Sequence, residues 1–206
     1  MSPSIEILKF TATDAYKANP AVFDEALELI AQTPGVIRIH SGPDAQEPQH
    51  GWLVVVWEAL EYHQAAIANK ETYAKIKEAL SKAAAKVEFM HDATFSADLS
   101  NALTAPVTEI VAVDVHPTTD LQEFDKRRTA LVDKIVELSS SIWHGGGWGV
   151  THDNDRKLWI CFGWDSPEAF KTLLAGTPEV LAIIGQIRAL ADANLCLARL
   201  TKYEKK

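Results

Sequence analysis

Cysteine is scarce in this chain. Cys161 and Cys196 are the two among 206 residues, too few for a disulfide framework and too far apart for a Cys-x-x-Cys redox or zinc pair. Long apolar runs are missing too: a stretch such as Leu53–Trp57 falls far short of the ~20 residues that span a bilayer. The opening residues, Met1-Ser2-Pro3-Ser4-Ile5-Glu6, show neither the charged start nor the apolar core of a secretory signal. Positive charge is in deficit, 20 Lys and Arg against 28 Asp and Glu for a net −8, which disfavours the broad basic face that nucleic acid requires. Histidines, cysteines and carboxylates do not recur at zinc-ligand spacing. Gly145-Gly146-Gly147-Trp148-Gly149 lacks the Lys-Ser/Thr and the following helix of a phosphate loop, and reads as a flexible turn. These absences point to a cytoplasmic protein with no nucleic-acid or membrane partner and no metal. What is present, 47% hydrophobic and 23% charged residues, is the balance of a folded chain with a real core.

The chain repeats itself. Leu53-Val-Val-Val-Trp57-Glu58-Ala-Leu-Glu61-Tyr-His63 returns at an offset of 107 as Trp159-Ile-Cys-Phe-Gly-Trp164-Asp165-Ser-Pro-Glu168-Ala-Phe170. An apolar strand, a Trp, an acid and a second acid three residues on recur together. Upstream, Ile5-Glu6-Ile7-Leu8 resembles Thr108-Glu109-Ile110-Val111 at an offset of 103, and loops absorb the difference.

Both halves give the same order of elements. In the first, the patterns predict strand Ile5–Thr11, helix Ala21–Gln32, strand Val36–His40, loop Ser41–Gly51, strand Leu53–Trp57, helix Glu61–Leu80 and strand Lys86–Phe95. In the second they predict strand Thr108–His116, helix Leu121–Leu138, strands Trp148–Thr151 and Leu158–Trp164, helix Glu168–Leu190 and strand Asn194–Lys202. The expected division is a repeat over 1–96, a linker over 97–106 and a repeat over 107–206. A βαββαβ unit is ferredoxin-like, an α+β fold whose four-stranded antiparallel sheet carries both helices on one face. The bare faces of two such sheets are expected to pack together.

The junctions Trp57-Glu58-Ala-Leu-Glu61 and Trp164-Asp165-Ser-Pro-Glu168 resemble the strand-to-helix turn of the dimeric α+β barrel superfamily. Asn69-Lys-Glu-Thr-Tyr73-Ala-Lys-Ile-Lys-Glu-Ala-Leu80 leading to Lys86-Val-Glu-Phe-Met-His-Asp92 is similar to the late helix and last strand of antibiotic-biosynthesis-monooxygenase and stress-responsive A/B-barrel domains. The resemblance spans nearly the whole chain. It implies a barrel built within one chain, as a monomeric pseudo-dimer or a homodimer of such chains, in which the first strand of each half lies between the third and fourth. Cys161 and Cys196 would then stand two strand spacings apart, ~9–10 Å, beyond the reach of a disulfide.

The activity that the resemblance implies is cofactor-independent monooxygenation, or related proton transfer, on a small hydrophobic aromatic or polyketide-like ligand in the barrel lumen. The alternatives are a non-catalytic small-molecule-binding or stress-associated protein, and a duplication whose lumen is closed by side chains. The haem-binding pattern of some relatives fails here, since no His lies between His63 and His91 or after Trp164. The Tyr and His of polyketide-cyclase relatives fall on Ala66 and Thr72, and on Leu173 and Glu179.

Polar residues on strands are the site candidates. Asp114 and His116 share one face of their strand, a spacing that lets a carboxylate orient an imidazole as a general base; these two are the expected catalytic pair. Arg38 and Arg199 could hold a ligand carboxylate or enolate, His40 shares a face with Arg38, and His91 lies with Val87 and Phe89. Trp57 and Trp164 would shape an apolar wall.

Overall fold

The computed structural model describes residues 2–138 and 141–205. The described chain divides into two compact units, one comprising the residues up to Thr94 together with those from Ala198 onward, the other running from Phe95 to Leu197. The C-terminal stretch thus belongs with the first unit, whereas the sequence places 107–206 together.

In the first unit, β1 (Ser4–Ala12) leads through α1 (Asp14–Ala18), a 3-10 turn (Pro20–Phe23) and α2 (Asp24–Ala31) to β2 (Val36–Pro43) and β3 (His50–Trp57). Then come α3 (Leu60–Ala68), α4 (Lys70–Leu80) and β4 (Ala84–Phe95). β1 pairs antiparallel with both β3 and β4, as the sequence implies. Alternation along β1 turns Leu8, Phe10 and Ala12 toward the helices, where they pack with Phe23, Leu27, Leu53, Val55 and Ile76. The predicted helix over Glu61–Leu80 is two helices, because Asn69 ends α3 and its side-chain oxygen accepts the Thr72 N–H that opens α4, at 3.2 Å.

The second unit repeats the plan with α5 (Ser100–Leu103), β5 (Val107–Val115), α6 (Leu121–Leu138), β6 (Trp143–Thr151), β7 (Lys157–Trp164), α7 (Pro167–Gly176), α8 (Pro178–Arg188) and β8 (Ala191–Ala198). The expected linker therefore contains a one-turn helix with Ala102 and Leu103 fully buried. Strand order is β8-β5-β7-β6, matching the β4-β1-β3-β2 order of the first unit. Pro178 at the start of α8 divides the predicted helix Glu168–Leu190, since proline has no N–H to continue α7 but fits a first helical position. The glycine run is not a turn. β6 begins at Trp143, and Gly145 and Gly146 form an irregularity in its pairing with β7. Gly146 has φ 144°, and a Cβ there would lie 2.1 Å from the Cys161 carbonyl oxygen.

Past β8 the chain returns to the first unit, where β9 (Thr201–Lys202) pairs with β2. Arg199 therefore does not project from the closing strand. It follows β8, is exposed, and donates its backbone N–H to Pro43. Cys161 is buried, Cys196 is half-buried, and the two are not joined by a disulfide. Among the described residues no helix is long and apolar enough to cross a membrane.

Candidate functional site

The duplication carries a matched pair of buried side chains. In the first unit Glu6 and Trp57 lie on adjacent strands, on the face toward the helices, and the Trp57 indole N–H donates to Glu6 Oε2 at 3.1 Å. In the second unit Trp164 donates to Glu109 Oε2 at 2.8 Å. The two recurrences in the sequence are thus one structural feature, a carboxylate held under the helices by an indole. The strand-to-helix junctions recur as well: the backbone N–H of Glu58 reaches the Gly35 carbonyl and that of Asp165 reaches the Ile142 carbonyl.

Beyond this pair the copies diverge. The residue six positions after the Trp is His63 in the first unit and Phe170 in the second. His63 sits on α3 with its ring stacked on Trp57, centroids 4.8 Å apart and planes inclined by 15°. Its Nδ1 lies 2.8 Å from Asp92 Oδ1 and 3.0 Å from Oδ2, and its Nε2 lies 3.4 Å from Glu6 Oε2. The imidazole is thus 4% exposed and clamped between two carboxylates. Asp92 reaches it because β4 alternation gives Asp92 and Met90 to the helix face, in register with Glu6 and Leu8.

The electrostatics follow from the burial. Burial drives the Glu6 carboxyl above its usual range; His63 opposes this, Asp92 reinforces it and the Trp57 hydrogen bond opposes it. Burial pulls His63 downward, but the hydrogen bond to Asp92 and the charges of Glu6 and Asp92 outweigh it and leave the imidazole more basic than an exposed one. Tyr73 on α4 is also raised, by burial and then by Glu6. Glu109, without a histidine, is pushed up by burial to about 7 against the pull of its Trp164 hydrogen bond.

The Glu6–His63 pair lines a cavity of about 50 Å³ between the sheet and the helices. Its floor includes Leu8, Trp57 and Met90; Thr33, Ala66, Tyr73 and Ile76 close it from above. In the second copy the places of Ala66 and Tyr73, at the repeat offset, are held by Leu173 and Val180, both buried in the apolar cluster that also holds Phe170. Such a chamber can give a proton acceptor limited access to water and a dry wall around it. Among the described residues no group of three or more His, Cys, Asp or Glu side chains is arranged to hold a metal ion.

The residues singled out from the sequence are dispersed. Asp114 is exposed, with its carboxylate 3.8 Å from Lys157 Nζ, and His116 Nε2 is 3.6 Å from Asp192 Oδ1, so the strand gives each a different partner. Both belong to the second unit, Asp114 on the face of β5 away from the helices. Arg38 is half-buried and His40 fully buried on β2, on the face opposite the Ile39 that packs under the helices. His91 stacks on Phe89, with centroids 5.6 Å apart, on the face of β4 opposite Asp92. Trp57 does line the chamber, and Trp164 fills the corresponding core beside Phe170, with centroids 5.4 Å apart. Glu6 and His63 are functional candidates that sequence reasoning passed over, whereas Asp92 adjoins the singled-out His91 and turns to the opposite face.

No family model matches the chain, and no curated protein matches it. Solved structures do. A candidate monooxygenase from Lactobacillus acidophilus NCFM aligns with 100% of this chain and 97% of its own at 16% identity, TM-score 0.68. A candidate monooxygenase from Fusobacterium nucleatum aligns with 100% and 99% at 12% identity, TM-score 0.66. An anthrone oxidase-like protein aligns with 97% and 91% at 12% identity, TM-score 0.74. The chain shares the α+β fold of these solved structures along nearly its full length, with the same strand and helix order in each of its two units.

Proposed function

We propose that the first unit is a proton-transfer site for cofactor-independent oxygenation of a small phenol, enol or activated methylene, with His63 as the general base. The carrying observation is the buried imidazole held between Asp92 and Glu6 at the wall of a small cavity. In this reading the reacting group is His63 and not His116. The names of the structural neighbours, monooxygenase and anthrone oxidase-like, support the class of reaction.

In this reading Asp92 fixes the ring with Nδ1 toward itself, leaving Nε2 as the working nitrogen, and stabilises the imidazolium that forms. Glu6 raises the basicity of Nε2 and titrates together with it as a pair. The Trp57 indole keeps the Glu6 carboxylate from turning away. For an activated methylene the chemistry balances with dioxygen as co-substrate. Nε2 removes one C–H proton, and the carbanion's electron pair forms a C–O bond to dioxygen. The peroxide takes up the proton. Loss of the second C–H proton then forms the C=O bond as the O–O bond breaks, and the departing hydroxide is protonated to water. One oxygen atom enters the ketone and the other leaves as water, with no external reductant.

The test is oxygen uptake with anthrone, a tricyclic activated methylene, as probe. The wild-type protein is expected to consume one dioxygen per anthrone, at a rate that rises with pH through the elevated titration of His63. His63→Gln should slow turnover by at least ~100-fold, the lower range for loss of a general base, with circular dichroism unchanged, while His116→Ala should leave it intact. Unaltered turnover in His63→Gln would remove the base assigned here, and a wild-type protein that binds anthrone without oxygen uptake would favour the non-catalytic alternative.

A further inference from the structure

A second, larger hollow adjoins the chamber. It is a groove of about 470 Å³ on the outside of the first unit, between the end of α2 and the bend where α3 meets α4. Leu29, Pro34, Tyr62 and Ala65 give it apolar walls, and Gln32 and Asn69 contribute polar groups. Two residues line both spaces, Thr33 after α2 and Ala66 on α3. That pair therefore forms a wall common to both hollows.

Their sizes divide the labour. A cavity of roughly 150 Å³ holds one benzene, while about 10–15 Å³ holds a water. The chamber's 50 Å³ admits dioxygen, a few waters or the edge of a ring, and no whole aromatic ring. The groove's 470 Å³ lies within the roughly 300–1,000 Å³ of small-molecule sites. A planar ligand serving both spaces would lie in the groove with its reactive edge turned toward Thr33 and Ala66.

Resting on the reading of His63 as the base, we infer that Thr33 and Ala66 form a doorway that sets specificity. The groove outside receives the body of a planar, polycyclic phenol or enol, and the doorway lets only its oxygen-bearing or C–H-acid edge reach Nε2. The second unit supplies the contrast. At the repeat offset its residue is Leu173, buried in the apolar cluster with Phe170 and Val180. A leucine at this place occupies volume that an alanine leaves empty. Thr33 is held by its own hydroxyl, which donates to the Leu29 carbonyl at 3.1 Å, so the α2 side of the doorway is fixed.

The test introduces the second unit's residue into the first. In Ala66→Leu, with Ala66→Val as a smaller step, binding of 2-naphthol is measured by calorimetry, anthrone turnover by oxygen uptake, and the His63 titration by NMR. The expected result is at least ~10-fold weaker 2-naphthol binding and at least ~10-fold higher KM for anthrone in Ala66→Leu, an intermediate effect in Ala66→Val, and an unmoved His63 titration. Wild-type affinity and KM in both variants would overturn the doorway while leaving the base in place. Absence of 2-naphthol binding to the wild-type protein would overturn the ligand class assigned to the groove. If His63→Gln retains full turnover while Ala66→Leu loses it, the base fails and the doorway stands.

Discussion

Glu109 offers a direct measure of what a buried carboxyl costs the fold. Its carboxyl is buried with the Trp164 indole as its hydrogen-bond donor, and burial raises its pKa from an ordinary 4.5 to about 7. Below pH 4.5 the group is protonated in both the folded and the unfolded chain, so ionisation costs nothing. Between pH 4.5 and 7 the unfolded chain releases a proton that the folded chain retains, and stability falls by ~1.36 kcal/mol per pH unit. Above pH 7 the loss is complete, at ~3 kcal/mol. Glu109→Gln keeps an oxygen to accept the indole N–H and removes the ionisation. Urea denaturation of both proteins at intervals from pH 4.5 to 8 should give a difference in unfolding free energy, variant minus wild type, that climbs by ~3 kcal/mol and levels off above 7. Titrations of Glu6, His63 and the surface groups occur in both proteins and cancel. A flat difference across this range would refute the argument that desolvation governs Glu109.

Other perturbations test neighbouring parts of the reasoning. Cys161 is fully buried, and burial with the nearby Glu109 charge pushes its thiol well above the usual range; a disulfide reagent should therefore label at most one thiol in the native protein, and Cys161→Ala should leave that native count unchanged. The Tyr203 hydroxyl donates to Glu28 on α2, while its backbone N–H donates to Ile39 at 2.9 Å. Tyr203→Phe should lower stability by ~1 kcal/mol and speed proteolytic trimming of the C-terminal stretch, both measurable against wild type.

Local pattern made most of the fold legible. The apolar period of α6 gives its limits, Leu121–Leu138, directly, and Ser166-Pro167 marks the start of α7 by side-chain cap and proline. The longer predicted helices fail where a single residue changes role: Asn69 caps one helix and ends another, and Pro178 restarts one. α1 escapes because its five residues carry no period, although Thr13 caps it with a hydrogen bond of 3.1 Å to the Tyr16 N–H. The path of the C-terminus depends on β9 pairing with β2, a contact between residues far apart in sequence that no local pattern encodes.

The site was harder to read because its signal is a difference between copies, whereas a repeat draws attention to what is the same. The Trp residues recur at an offset of 107 and the glutamates at 103, and only strand register shows that they touch. The informative positions are those where the copies disagree. At the repeat offset His63 corresponds to Phe170, Ala66 to Leu173 and Tyr73 to Val180; every change in the second unit replaces a polar or small residue with a larger or purely apolar one. A cavity wall relieved of function is expected to drift this way, since filling space gains ~1–3 kcal/mol per buried aliphatic group. The Glu–Trp pair survives in both copies because removing either partner strands a buried polar group. His63 has no such structural necessity: Phe170 shows that the fold accepts an apolar ring at the corresponding place, packed against the corresponding tryptophan, Trp164. Retaining an imidazole between two carboxylates there forgoes the better packing, which is the physical ground for assigning the first unit, and not the second, the chemistry.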